Sequence, residues 1–395
     1  MLKKLNIPTL NVLIRECKRI ANNKAYLGLV IVLPIILFLF LSFIYKNGVV
    51  KEIPVVVCDE DHSSLSQSYA RLIESTGSMK IIRFVASQDL IKDEFLNGKV
   101  YAGFYIPKDM ESDIKKGKQV SITIYNNTTN LITGNTILKD ATTISKTFSG
   151  GVLLKKLTSK GIGDEQAMNI INPVKIDTQS LYNPNYSYLD YLVPGLIPAM
   201  FQMIIMLSSV LIFNTEYSEN TLSDLIKTAN NNVLPMLIGK SIPHLIIHLI
   251  TATGILCLLY PLFGISSSGS LLFSLIILYI FVFACFFTGL MVSVLIKDKM
   301  FATEIALFIN TPAFIFSGFV YPLWAMPEVH NIFAMAMPIT HFMDGFLKIY
   351  FMNTPFLYAY NELYRLSLFI FIPLVIILFV LFLKTRNQKK ILTQN

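Results

Sequence analysis

EYSENTLSDLIKTANNNVLPMLIGK, residues 216–240, is a short polar segment with long apolar runs on both sides, at 189–213 and 243–263. About 20 residues of helix cross the hydrocarbon of a bilayer. A chain that is apolar for that length, then polar, then apolar again therefore surfaces from a membrane and re-enters it. Charged and apolar residues alternate over 216–228 as on an amphipathic helix, and the segment closes on Gly239-Lys240. That form suits a surface gripped by a soluble partner.

The same length test applied outward finds six runs, at 26–45, 189–213, 243–263, 271–296, 302–320 and 366–383. The 395 residues are 53% hydrophobic and 15% charged, against about 25% charged in soluble domains. The expected fold is an α-helical polytopic membrane protein with six transmembrane helices. An outer re-entrant hairpin and an inserted α/β extracytoplasmic domain complete it.

The net charge of +8 is topological and calls for no nucleic acid. Lys3, Lys4, Arg15, Lys18, Arg19 and Lys24 precede the first run, and Lys384, Arg386, Lys389 and Lys390 follow the last. Positive residues close to spans mark the cytoplasmic side, so both termini are expected inside, as is the loop with Lys297 and Lys299. The first run lacks a small-x-small cleavage site in the SFIYKNG that follows it, and is expected to be retained. Cys17, Cys58, Cys257 and Cys285 are scattered, with no disulfide framework and no zinc spacing.

Residues 1–25 form an amphipathic helix, with Leu10, Leu13, Ile14, Cys17, Ile20 and Ala21 at helical spacing and Arg15, Lys18 and Arg19 on other faces. It suits the cytoplasmic headgroup layer; the plainer reading is a positively charged flank. Residues 46–188 are one soluble block. Strands are expected at 52–57, 80–86, 101–106 and 119–125, and helices at 65–75, 88–97, 108–116 and 129–159. Such alternation predicts an α/β layer. After the span at 302–320, residues 323–351 are apolar but interrupted by Pro327, Glu328, His330, Pro338, His341, Asp344 and Lys348. Neither half can span, which predicts the hairpin.

Gly239-Lys240-Ser241 resembles a piece of a phosphate loop, but the required earlier glycine position is Leu234 and no strand precedes it. His244 and His248 share a helical face; either they begin a metal site or they make a polar helix–helix contact. No partner at matching spacing completes a metal site. Glu304 lies near the start of a span, as a functional ionisable group or one solvated beside Lys297 and Lys299. His341, Asp344 and Lys348 form either an exit lining or a solvated face. Phe201, Gln202, Met203, Met206, Phe308, Phe314 and Phe316 suit an adaptable translocation wall or ordinary helix packing.

The order of these features resembles the membrane permease of type-two ABC exporters, in the subgroup with a large external domain after the first helix. In that family's coupling region an acidic-Arg-Glu-x-x-Gly-Thr-Leu-Glu stretch precedes Thr-Pro and Gly-Lys. Here Glu216, Glu219, Thr221, Leu222, Asp224, Leu225, Ile226, Thr228, Gly239 and Lys240 match in kind and order, with Asn220 in place of Gly and Ala229 in place of Pro. SGFVYP (317–322) with Met326-Pro327 is similar to a signature after the fifth span. Pro338-Ile339-Thr340 with Phe342 and Gly345 resembles an outer-hairpin element, and VVVCDEDHSSLS (55–66) the opening of the external domain.

The resemblance implies a connector helix (1–25), a first span (26–45), an external domain (46–188), five further spans (189–385) and a cytoplasmic tail (386–395). It implies a coupling helix at 216–228 docking on cytoplasmic ABC ATPase subunits, which would hold the ATP and Mg; this chain would bind no cofactor and no metal and catalyse nothing itself. A second permease copy or paralogue, membrane lipids and a periplasmic adaptor are the further partners implied. A hydrophobic or amphipathic cargo (drug, lipid or glycolipid) would leave through the inner membrane, past a pathway and gate that include Pro322 of the signature and the outer hairpin. The alternative is a membrane sensor or scaffold whose external domain binds a ligand.

Overall fold

A computed structural model of the chain describes residues 7–174, 179–184, 186–265 and 267–394, with side chains to residue 386. Lys3 and Lys4, and the side chains of Lys389 and Lys390, therefore lie outside the described residues. The chain divides into two compact units, 1–48 with 180–395, and 49–179.

In chain order the elements are α1 (Pro8–Asn22), α2 (Lys24–Ile44), β1 (Ile53–Asp59), α3 (Ser64–Ser75), β2 (Met79–Val85), α4 (Gln88–Leu96), β3 (Ala102–Ile106) and α5 (Met110–Lys115). They continue with β4 (Thr123–Asn126), α6 (Leu131–Thr158), α7 (Asp164–Ile171), α8 (Tyr188–Ser218), α9 (Leu222–Thr228) and α10 (Val233–Leu262). The last are α11 (Leu271–Leu295), α12 (Lys299–Phe316), α13 (Glu328–Met335), α14 (Pro338–Tyr350) and α15 (Tyr360–Gln394). Among the described residues six helices are long and apolar enough to cross a membrane: α2, α8, α10, α11, α12 and the body of α15. The α13–α14 pair is bent by 82°, as a broken span or re-entrant loop.

The helical unit is ordered by local signals. Pro8 opens α1, where its missing N–H costs nothing. Asn23 ends α1, and its side chain accepts the Tyr26 N–H at 3.0 Å, so one residue stops a helix and starts the next. Asn232 and Asp298 cap α10 and α12 through the N–H groups of Leu234 (3.2 Å) and Phe301 (2.7 Å). The core lies between α8, α11 and α15, with α14 and α10 around them. At Gly289 of α11 an added Cβ would stand 2.7 Å from the Met206 carbonyl, so α8 and α11 touch backbone to backbone.

In the 49–179 unit the strand order is β2-β1-β3-β4, parallel except for antiparallel β4. Val55 and Val57 of β1 face Tyr69 and Ile73 of α3 and Ile137, Ala141 and Ile144 of α6. Val56 and Cys58 face Ile91 of α4. Both faces are covered, which is why β1 reads as an unbroken apolar run. After it, Asp59 accepts the N–H groups of Asp61 (3.1 Å) and His62 (3.0 Å) and the Ser66 hydroxyl (2.7 Å). The Asp- and Ser-rich loop therefore closes a turn.

The structure moves several expected boundaries. The helix expected at 216–228 is two pieces: 216–218 end α8, and a separate α9 begins at Leu222. Asn220 breaks it with a left-handed φ of 56°, a conformation that glycine takes freely and asparagine tolerates. That explains how asparagine stands where the resemblance expected glycine. The third span begins at Val233, ten residues before 243, because the polar Lys240 and Ser241 are buried inside the helix. The fourth strand starts at Thr123 rather than 119, and α7 adds a helix not expected.

Candidate functional site

The face that α1 buries is not its apolar one. Val12, Glu16 and Ile20, one turn apart, are buried, whereas Leu10, Ile14, Cys17 and Ala21 remain exposed. The buried face lies on α10 at Gly239, where an added Cβ would stand 2.7 Å from that of Val12. This close approach carries a carboxylate, Glu16, into the helical unit.

Glu16 is met there by Lys240, whose side chain is fully buried. The Lys240 ammonium donates to Glu16 Oε2 at 2.8 Å and to Glu216 Oε1 at 2.7 Å, and lies 5.7 Å from the centre of the Phe213 ring. Glu216, at the end of α8, is also fully buried. Arg15 grips it with both terminal nitrogens, at 2.7 and 2.9 Å. Arg19 adds 2.5 Å to Glu216 Oε1 and a second bond to Glu219. The Thr221 hydroxyl donates to Glu216 Oε2 at 2.5 Å. His244 Nε2 donates to Glu16 Oε1 at 3.1 Å, and the Tyr26 hydroxyl meets its Nδ1.

Arg15, Arg19 and Lys240 thus face Glu16, Glu216 and Glu219, three charges of each sign. Balance matters because a buried ion is tolerated only when paired and hydrogen-bonded. Removing one partner of such a group costs about 3–5 kcal/mol, although the intact group adds little net stability. Burial alone would raise the Glu16 carboxyl. The hydrogen bond from His244 and the Lys240 ammonium outweigh it and hold the group at about 2. The hydrogen bond to Glu216 raises the Arg15 guanidinium further above its ordinary value. The cluster ties α1, the α8–α9 junction and α10 together.

The expected docking residues divide by burial. Glu216, Leu225 and Ile226 face inward, so their side chains are not on the surface that a partner would meet. Glu219 and Asp224 are exposed, and Thr221 and Leu222 half-buried. Of the connector residues, Arg15 and Arg19 join the cluster and Lys18 is exposed. His244 and His248 make polar contacts between elements, the latter with the Ser208 hydroxyl of α8 at 2.9 Å. No group of three metal-ligating side chains occurs among the described residues.

The expected pathway residues are dispersed. Phe201 and Gln202 are in the core, Gln202 donating to Asn310 at 3.0 Å, and Met203 is partly exposed. Phe314 is half-buried, 6.1 Å from the Phe319 ring. Pro322 and Asp344 share the lining of a cavity of about 360 Å³. His341 is not on a face with Asp344: it is buried and donates to the Met335 carbonyl at 2.9 Å, because α14 turns it inward. Asp344 and Lys348 pair instead with each other, and Lys348 with Glu362 at 2.8 Å. Glu304 is exposed and lines an open groove of about 1150 Å³ that also reaches Leu222 and Lys384.

Sequence reasoning missed Glu16, the one acid on a basic helix, and placed Lys240 on a surface. The legible signal was the register of Val12, Glu16 and Ile20, which puts the acid on a turn-spaced stripe with two apolar residues.

The family described as ABC-2 family transporter protein matches residues 24–384. The probable multidrug ABC transporter permease YbhR of Escherichia coli K12 is 27% identical over 195 residues, covering 49% of this chain and 53% of the relative. YbhS of the same organism, described in the same words, is 23% identical over 200 residues, 49% of this chain and 52% of the relative. ABC transporter G family member 20 of Dictyostelium discoideum is 24% identical over 240 residues, 59% of this chain and 32% of the relative. The chain spans about half the length of the two bacterial relatives and a third of the other.

Proposed function

Because the chain belongs to the ABC-2 family of transporter proteins, we propose that it is the transmembrane permease subunit of an ATP-driven exporter, coupled to a separate ATPase subunit. The relatives described as multidrug permeases support this reading. The observation that carries it is the buried cluster, which joins a surface helix to two spans.

In this reading α9, α1 and both termini lie in the cytoplasm, and the 49–179 unit lies outside the inner membrane. The ATPase holds ATP and Mg and grips α9 and the turn before it through Glu219, Leu222 and Asp224. Leu225 and Ile226 pack the other face of α9 into the helical unit, so a push on it is not absorbed locally. Glu216 passes the displacement through Arg15 and Arg19 to α1, and through Lys240 to α10. Two permeases, identical or related, enclose the path, and a hydrophobic or amphipathic cargo moves outward. A periplasmic adaptor is a further candidate partner, on the external unit.

The test is Leu222→Ala with Asp224→Ala, which leaves the cluster untouched. Binding of the ATPase subunit is expected to fall about tenfold, the equivalent of about 1.4 kcal/mol, with membrane insertion unchanged. Full binding and full transport by this variant would remove docking through α9. Failure of any nucleotide-binding subunit to co-purify with the unaltered chain would favour the sensor reading.

A further inference from the structure

Beside the closed cluster lies the groove of about 1150 Å³, and its charges are arranged in the opposite way. Lys297, Lys299 and Lys384 line it, and none of them pairs with a carboxylate within 4.0 Å among the described residues. Lys384 is half-buried at the end of the last span. It donates to the Tyr217 hydroxyl at 2.5 Å and the Val294 carbonyl at 2.6 Å, and sits 4.4 Å from the centre of the Tyr217 ring. Its partners are all neutral.

The acids of the groove make no ion pair with these lysines among the described residues. Glu216 is committed to Arg15, Arg19 and Lys240. Asp298 caps α12 through the Phe301 N–H at 2.7 Å. Glu304 lies nearly two turns further along, on α12, on the same groove but in no ion pair among the described residues. The remaining wall includes Leu222 and Met300, and Phe301 next to it on α12 is 55% exposed. The groove therefore sets three lysines against two acids outside any ion pair among the described residues, Asp298 and Glu304, and combines this excess of cation with apolar surface where spans end.

We propose that this groove binds the phosphate of an anionic amphiphile, with Lys297, Lys299 and Lys384 on the phosphate and the acyl portion directed along the exposed face of α12. Anionic lipid is attracted to basic residues beside spans, and here a concave site with neutral-partnered Lys384 at its wall gives that attraction a fixed address. The groove also reaches Asn220, Leu222 and Ser223, so a bound headgroup touches the start of α9. The proposal rests on the membrane reading of the spans and not on coupling to an ATPase.

The experiment is native mass spectrometry of the purified full-length chain, without an ATPase, titrated with phosphatidylglycerol and, separately, with diacylglycerol of the same chains. The unaltered chain is expected to retain phosphatidylglycerol about tenfold more strongly than diacylglycerol. Lys297→Gln with Lys299→Gln, both at exposed positions, is expected to abolish most of that difference. Lys384→Gln should do the same, and Lys384→Arg should restore it. Equal retention of the two lipids, or unchanged retention by the double variant, would overturn the proposal. Displacement of the lipid by millimolar inorganic phosphate would overturn the amphiphile and leave a site for a soluble anion.

Discussion

Two charged groups mark opposite ends of the helical unit, and they are built on opposite principles. At one end Glu16, Glu216 and Lys240 are almost wholly shielded from solvent and draw on segments more than 200 residues apart in sequence. At the other, Lys348 joins Asp344 and Glu362, but the side chains of Lys348 and Asp344 are 31% and 50% exposed. α15 connects the two ends, running from Glu362 to Lys384, which touches Tyr217 beside the first cluster. Only Glu362 of the second group is buried, so the pair of Lys348 with Asp344 is open to water, and an ion pair is stiff where water is absent and weak where water competes.

Lys240→Ala should break this contrast most sharply. It leaves Glu16 and Glu216 facing each other without their shared cation, at an expected cost of about 3–5 kcal/mol, read as a fall in thermal unfolding temperature in detergent. A loss no larger than that of an exposed lysine would show that the cluster is hydrated. Acid should act next. The Glu16 carboxyl, held at about 2 against an ordinary 4.5, has a folded pKa below its unfolded one. Its stabilisation is complete above pH 4.5 and is lost as pH falls towards 2, by roughly 3 kcal/mol in total. Glu16→Gln should flatten that part of the pH profile.

Gly239→Leu tests the packing beneath the charges. Its side chain meets Val12 and the Thr9 carbonyl, and overpacking of this kind costs about 1–3 kcal/mol. Faster proteolysis at Lys18 would report that α1 has lifted; an unchanged digest would mean that the helices adjust. Asp344→Ala should be the mildest change, below about 1 kcal/mol, because Asp344 is 50% exposed and Lys348 keeps the buried Glu362. A loss from Asp344→Ala as large as that from Lys240→Ala would erase the distinction between the two ends.

The sequence made the six spans legible because length and hydropathy decide them locally. The α/β order of 49–179 was legible too, since β-branched runs such as 55–57 alternate with capped helices. The joint itself was harder to read. Lys240 looks like a surface residue until α1 is placed against it, and nothing local says that Glu16 will meet it. Glu216 was expected on a partner-facing helix because Asn220 was not read as a left-handed break, which returns 216–218 to the span. Burial of charge is decided by tertiary partners, and a linear pattern does not carry them.

The length of chain between the members of the joint has a consequence for synthesis. Glu16 and Arg15 leave the ribosome early, whereas Lys240 follows 224 residues after Glu16. Arg15 and Arg19 have no counter-ion until Glu216 is made, 201 residues after Arg15, and Glu16 waits longer still for Lys240. A nascent chain that stops before residue 240 leaves Glu16 without its ammonium partner. The joint is therefore completed only when the start of the third span has been made.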